Sequence, residues 1–127
     1  MKTTFIALSS IIAGAALGAA AVQSLHAQAK PKAYSVAEIE VLDTAALATY
    51  VPLVLSAIRA GGGRDFNTGG GKITGFGGDP PKRVAIIEWD SLEQAQAFVN
   101  SAAYKNIAPQ RDKAEKIVRA YVVEATN

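Results

Sequence analysis

Two stretches of this chain are apolar on both faces of the strands they predict, and this feature constrains the fold more than any other. They are residues 82–89, KRVAIIEW, and residues 116–125, KIVRAYVVEA. A strand that is buried on one face only alternates apolar with polar residues. Helices on one side of the sheet would leave a second apolar face bare, and covering it is worth about 25 cal/mol per Å². We therefore expect a second copy to cover that face, which predicts a homodimer packed sheet to sheet.

The first half of the predicted domain consists of a strand and a helix. Residues 34–42 alternate between two faces and predict the strand. Asp43 can then cap a helix, whose apolar residues recur at spacings of three and four through residues 47–58. Pro52 lies inside this helix, where it removes one backbone hydrogen bond and crowds the preceding turn. We therefore expect a kink, or two short helices that meet near Tyr50.

The second half of the chain mixes extended and helical segments. It contains extended pieces at 64–68 and 72–76, a strand at 82–89, a helix opened by the capping box from Ser91 to Gln94, a further helical piece from Ser101, and a final strand at 116–125. In the final strand, alternation places Ile117 on the same face as Tyr121. The order strand, helix, strand pair, helix, strand predicts an α+β fold: a ferredoxin-like βαββαβ sandwich on an antiparallel four-stranded sheet.

Nine of the eleven glycines lie between Gly61 and Gly78, which raises the question of a phosphate-binding loop. A P-loop needs Gly-Lys followed by Ser or Thr, but Gly71-Lys72 is followed by Ile73. The dinucleotide fingerprint needs a third glycine and then a helix, and both glycine triplets lead instead into strand-like sequence. The glycines therefore predict a helix stop and a bulged hairpin, and this hairpin could also act as a flexible lid.

The first 29 residues have the pattern of a secretory signal peptide. Lys2 precedes an uncharged run over residues 5–22, and a small-x-small cleavage pattern ends at Ala29. We expect cleavage between Ala29 and Lys30, a secreted or periplasmic protein, and no stable membrane anchor after cleavage. A retained N-terminal anchor stays open as the alternative, because the uncharged run is nearly long enough to span a bilayer.

The predicted mature domain, residues 30–127, contains neither cysteine nor histidine, since the one histidine is His26. This excludes cysteine nucleophiles, Ser-His-Asp triads, His-ligated haem and ordinary zinc sites. No Asp-x-Asp-x-Asp-Gly run predicts a calcium loop, so we expect neither a metal nor a cofactor. Basic and acidic residues nearly balance, and Lys82-Arg83 is the only adjacent basic pair. We therefore expect no nucleic-acid partner.

Several features along the chain together resemble one known family. They are an initial strand that ends in Asp43, Tyr50 in the first helix, Gly62-Gly63-Arg64, Gly69-Gly70, a strand that ends in Ile87-Glu88-Trp89, Ser91, Ser101-x-x-Tyr104, and Arg111. In their order and spacing these resemble the domain-of-unknown-function 1330 family, within the dimeric α+β barrel superfamily. The resemblance implies a ferredoxin-like fold and a dimer, and it implies no established activity.

The resemblance also implies where a ligand would bind. Other branches of the superfamily include small monooxygenases, haem-degrading enzymes and muconolactone isomerases, whose ligands usually lie between the helices and the sheet. The haem branch depends on a histidine ligand, which the predicted mature domain lacks. A cofactor-independent oxygenase or isomerase stays open.

The candidate catalytic residues are Glu88, Tyr104 and Arg111, with Tyr50 and Trp89 as candidate walls of a ligand site. Glu88 lies late on a central strand, where a buried carboxylate is costly without a partner. Arg111 can supply that partner through a bidentate fork, which would make the pair structural. If desolvation dominates instead, the pKa of Glu88 rises towards general acid or base work.

Three functional hypotheses follow. The first is a small exported homodimer that binds a small, partly apolar molecule without transforming it. The second is a cofactor-independent monooxygenase or isomerase, with Glu88 as base and Arg111 as anion holder. The third is a purely structural or interaction module. An unpaired Glu88 in a closed pocket favours the second hypothesis, and a tight Glu88–Arg111 pair in a filled core favours the third.

Overall fold

The computed structural model describes residues 30–126. The elements are strand β1 (Ala33–Val41), helix α1 (Thr44–Ala60), strands β2 (Arg64–Asp65) and β3 (Arg83–Trp89), helices α2 (Leu92–Val99), α3 (Ala102–Lys105) and α4 (Ala108–Ala114), and strand β4 (Glu115–Glu124). The predicted signal peptide at 1–29, and Asn127 at the end of the predicted domain, lie outside the described residues. Within residues 30–126, none of the helices is long and apolar enough to cross a bilayer.

The four strands form one antiparallel sheet in the order β2-β3-β1-β4. The two central strands, β3 and β1, are joined by a pairing that runs from Ala33 opposite Trp89 to Ile39 opposite Arg83. Helices α1 and α2 pack on the sheet face that carries Trp89. The α+β class and the ferredoxin-like βαββαβ sandwich predicted from the sequence are confirmed.

A β-bulge in β4 changes which side chains share a face. Along β1, the step from Glu38 to Ile39 advances the pairing by one residue, but the partner on β4 moves by two, from Arg119 to Ile117. Ile117 therefore lies on the face of the buried Ile39 and lines the space under the helices. The alternation-based placement of Ile117 on the opposite face was wrong, because a bulge reverses the face of every residue beyond it.

Helix α1 runs without interruption through Pro52, so the predicted division into two helices near Tyr50 was wrong. The Asp43 carboxylate caps the helix by accepting from the Ala46 N–H at 2.8 Å, as predicted. Pro52 cannot bond to the carbonyl of Ala48, four residues earlier. Both residues are exposed, so water can satisfy that carbonyl, and the helix continues past the proline.

The glycine-rich segment after α1 is mostly loop. Gly62 has φ +89, so it takes the left-handed conformation that ends the helix, and the predicted helix stop is confirmed. The predicted extended piece at 64–68 is a strand only at Arg64–Asp65, and the predicted piece at 72–76 is not a strand. Residues 70–80 are all exposed, so they lack the buried apolar contacts that would hold a strand in place.

Both predicted serine caps open helices. The Ser91 hydroxyl accepts from the Gln94 N–H at 3.1 Å, and the Ser101 hydroxyl accepts from the Tyr104 N–H at 3.2 Å. The Gln94 side chain completes the first cap by accepting from the Asp90 N–H at 2.8 Å, one residue before the usual capping-box partner.

The core is organised around Trp89, which is only 1% exposed. Its ring lies 5.0 Å from that of Phe98, which in turn lies 4.9 Å from that of Tyr104. The indole N–H donates to the Ser35 hydroxyl at 3.0 Å, so the polar atom of this buried ring is satisfied. Gly63 packs directly against the indole, because a Cβ at that position would lie 2.8 Å from Cη2 of Trp89.

We predict that Gly63→Ala lowers the free energy of unfolding by about 1–3 kcal/mol. The added methyl would also come within 2.8 Å of Cγ2 of Ile58, and both neighbours are buried core side chains that cannot move freely. Urea denaturation at one protein concentration measures the change. Gly77→Ala is the matched control, because a Cβ there meets nothing within 4 Å. Equal stability of the two variants would contradict this packing.

Candidate functional site

A cavity of about 450 Å³ lies between the helices and the sheet. This volume falls in the range of small-molecule sites, which are mostly apolar with a few placed polar groups. Its apolar walls come from β1, α1, β3 and β4, and include Ile39, Val54, Leu55, Ile58, Ile87 and Val122. The location is the one that the family resemblance implied for a ligand.

Tyr50 brings a buried phenol from α1 to this cavity. The residue is 3% exposed, and burial raises the pKa of its phenol far above the ordinary value, with Tyr104 and Glu115 adding to the increase. The phenol therefore stays protonated at any physiological pH and can act as a hydrogen-bond donor.

Glu115, the first residue of β4, places a carboxylate in the same cavity. The residue is 7% exposed, and burial raises the pKa of its carboxyl, which the positive charges of Arg83 and Arg111 only partly offset. Among residues 30–126, neither a hydrogen bond nor an ion pair engages this carboxylate, and every fully buried polar side-chain atom has a partner. The Glu115 oxygens are therefore not fully enclosed, at a residue that lines this cavity.

Arg83, the first residue of β3, brings a guanidinium to the cavity wall. The hydroxyl of Thr68 donates to the Val84 carbonyl at 2.7 Å, which fastens the loop after β2 to β3. This places Gly69 against Arg83, so that a Cβ on Gly69 would lie 2.7 Å from Nη2 of the guanidinium. In the described part of the chain, Arg83 makes no hydrogen bond or ion pair.

Arg111 lies on α4, behind one wall of the cavity. Its guanidinium carbon is 5.0 Å from the centre of the Tyr104 ring, in cation–π geometry, and its Nε is 3.6 Å from a carboxylate oxygen of Asp112. A second, more open cleft brings Arg111 and Glu115 together with Leu42, Asp112, Lys116 and Ile117. Arg111 therefore lies near Glu115, and its own charge is already engaged by Tyr104 and Asp112.

Glu88 lies on the sheet face away from the helices, because its neighbour Trp89 points towards them. Arg64 donates to its carboxylate from Nε at 2.7 Å, Tyr34 donates from its hydroxyl at 3.2 Å, and the Lys32 ammonium lies at 3.6 Å. The bond from Arg64 is the main reason that the pKa of Glu88 is lowered. The predicted Glu88–Arg111 pair does not form, since the two residues occupy different sides of the sheet.

The structure thus divides the residues that the sequence singled out. Tyr50, Trp89 and Tyr104 line the cavity, Arg111 packs behind Tyr104, and Glu88 is remote from all of them. Within residues 30–126, no group of acidic side chains is arranged to hold a metal ion.

Sequence reasoning missed Arg83 and Glu115. Arg83 had a usable signal, because it lies an even number of residues from Trp89 on the same strand and must therefore point to the same face. Glu115 had none, because it was placed just before the predicted final strand rather than in it.

Comparison with known proteins establishes the family. The model of the family described as Domain of unknown function (DUF1330) matches residues 32–126. The chain belongs to this family.

A crystal structure of RPA0582, a protein of unknown function from Rhodopseudomonas palustris, is similar to this chain. The TM-score is 0.61 at 13% identity, over 84% of this chain and 92% of that one. Its methylated form gives a TM-score of 0.60 at 13% identity, over 84% and 90%. At this identity the likeness shows the fold alone. No curated protein matches the chain.

In this DUF1330 protein, the Gly62-Gly63-Arg64 motif of the family resemblance has structural roles at one corner of the sheet. Gly62 supplies the left-handed turn, and Gly63 allows the chain to pass over Trp89. Arg64 then leads into β2, where it binds both Glu88 and Asp90. These contacts join the end of α1 to β3.

We predict that Glu115→Gln raises the free energy of unfolding at neutral pH. The raised pKa means that the folded state binds the proton more tightly than the unfolded state, so wild-type stability falls as pH rises from the ordinary Glu pKa to the folded one. Urea denaturation measures this difference from pH 3 to pH 8, that is, from roughly one unit below the ordinary carboxyl pKa to well above it. Glu115→Gln should be more stable than wild type only on the alkaline side of this range.

Glu124→Gln is the matched control, because Glu124 is an exposed residue of the same strand. It should change stability little at any pH. A Glu115→Gln protein that is less stable than wild type at neutral pH would show that the ionised carboxylate is favourably held, against our interpretation.

Proposed function

We propose that this protein binds a small, partly apolar molecule in the cavity between the helices and the sheet. The observation that supports this most is the unfilled volume of about 450 Å³, with mostly apolar walls and the polar groups of Tyr50, Asp65, Arg83 and Glu115. Protein interiors are normally packed about as densely as organic crystals. A space of this size in so small a domain therefore favours a ligand-binding function over a purely structural one.

The geometry gives no support to the alternative in which Glu88 is a catalytic base and Arg111 an anion holder. Glu88 is held ionised by Arg64 on the far face of the sheet. Arg111 is engaged by the ring of Tyr104 on the helix side. A single ligand could not contact both groups, so an enzyme of that design is not proposed.

We predict that at least one compound from a panel of aromatic acids, lactones and quinones raises the melting temperature of the protein. A ligand that binds only the folded state stabilises it by about 2.7 kcal/mol at a hundred times its Kd. Val54→Trp should abolish the shift by filling the cavity, because Val54 is one of its walls. Leu53→Trp, at an exposed position on the same helix, should retain it. A panel with no stabilising compound would count against the proposal.

We further propose that two copies pack sheet to sheet. The face away from the helices carries exposed apolar side chains, including Tyr121 at 48% and Val123 at 53% exposure. Arg119 forms a bidentate pair with Glu38 on the same face, at 2.8 and 2.9 Å, so the charges there are already matched. Exposed apolar surface rimmed by paired charges is typical of protein interfaces.

We predict that the protein is a dimer at micromolar concentration and that Tyr121→Lys makes it a monomer. The substitution places an unpaired charge in the proposed interface, which is costly to bury. Sedimentation equilibrium measures both states. Leu53→Lys is the control, because it adds the same charge at an exposed apolar position on the helical side. A wild-type monomer would contradict the proposal.

We also propose that the protein is exported and that its signal peptide is removed. Strand β1 begins at Ala33, so cleavage between Ala29 and Lys30 would leave every described element intact. N-terminal sequencing of the protein recovered from the periplasm or medium should begin at Lys30. Recovery only in the membrane fraction with Met1 retained would favour the anchor instead.

A further inference from the structure

We propose that the cavity selects small aromatic monocarboxylic acids that also carry a hydroxyl group, with Arg83 binding the carboxylate and Glu115 accepting from the hydroxyl. This inference rests on the proposed binding function and specifies its ligand class.

Arg83 is the cation available to such a ligand. Its guanidinium lies at the cavity wall against Gly69 and, in the described chain, has no hydrogen-bond or ion-pair partner. A guanidinium presents a planar fork that matches a carboxylate in two parallel hydrogen bonds. Arg111, the other arginine near the cavity, is covered by Tyr104 and paired with Asp112. An entering anion would therefore find its partner at Arg83.

Glu115 lines the same cavity as Arg83 but does not pair with it in the described residues. Arg83 begins β3 and Glu115 begins β4, and β1 runs between them. Neighbouring strands are about 4.8 Å apart, so the two backbones are separated by about 10 Å. Their charges attract one another, yet in the described residues they form no ion pair. A ligand with a carboxylate at one end and a hydrogen-bond donor at the other fits this gap.

The same arrangement sets what the site would reject. A neutral ligand would leave the Arg83 charge without a partner, and a dicarboxylate would bring a second negative charge to the open carboxylate of Glu115. Like charges that share a site repel. Asp65, on β2, adds a second carboxylate to the lining. Most of the other wall residues are apolar, and they include Tyr50, whose aromatic ring suits the ring of an aromatic acid.

The test compares 4-hydroxybenzoate, 4-hydroxyphenylacetate and 4-hydroxycinnamate, which differ in length, with their amides and with the acids that lack the hydroxyl. Isothermal titration calorimetry gives each Kd. For the acid of best length, we expect binding at least about tenfold tighter than its amide, corresponding to 1.4 kcal/mol. Arg83→Gln should remove this preference, whereas Arg59→Gln, at an exposed position on α1, should keep it.

Two further variants test the assignment of each polar group. Gly69→Ala forces the Arg83 guanidinium to move without removing its charge, so it should weaken binding of the acid and leave binding of the amide unchanged. Gly77→Ala, which meets nothing within 4 Å, should change neither. Glu115→Gln should reduce the preference for the hydroxylated acid over the acid that lacks the hydroxyl.

The outcomes separate this inference from the function on which it rests. Amides that bind as tightly as the acids, and lose binding in Val54→Trp, would overturn the acid selectivity while supporting a ligand cavity. Acid binding that survives both Arg83→Gln and Val54→Trp would overturn the assignment of the site. Tighter binding of acids than amides, lost in Arg83→Gln and kept in Arg59→Gln, would establish it.

Discussion

The burial of Trp89 is the constraint on which the rest of the structure depends. Its ring is held between Gly63 and Phe98, and its indole N–H donates to Ser35. Because side chains alternate along a strand, this one orientation sets the direction of every other side chain on β3. Arg83 must then point towards the helices, and Glu88 must point away from them.

Much of the fold could be predicted from the sequence because local signals agreed with the tertiary structure. The caps at Asp43, Ser91 and Ser101 all form, and the element order was sufficient for the topology. The bulge before Ile117 and the continuous helix through Pro52 could not be predicted in this way. The bulge depends on how β4 pairs with β1, and the continuous helix depends on which helix face meets water. Neither is encoded in a local pattern.

The candidate site was harder to predict, because charged residues were judged by type rather than by strand parity. Glu88 and Trp89 were placed in one site although adjacent strand residues face opposite ways. Arg83 was considered only as part of an adjacent basic pair, although it lies an even number of residues from Trp89 on the same strand and must share its face. The two sheet faces consequently have separate chemistry: opposed charges around a cavity on one, and paired charges among exposed apolar residues on the other.

The central claim is that a ligand occupies the cavity under the helices with its anionic group at Arg83. The most direct measurement is NMR of the arginine Nε–H signals while the tightest-binding acid is added. We predict that the Arg83 signal shifts most and in proportion to saturation, while the signals of Arg64 and Arg119, on the far face of the sheet, stay in place. A shift confined to Arg64 or Arg119, with Arg83 unchanged at saturation, would contradict it.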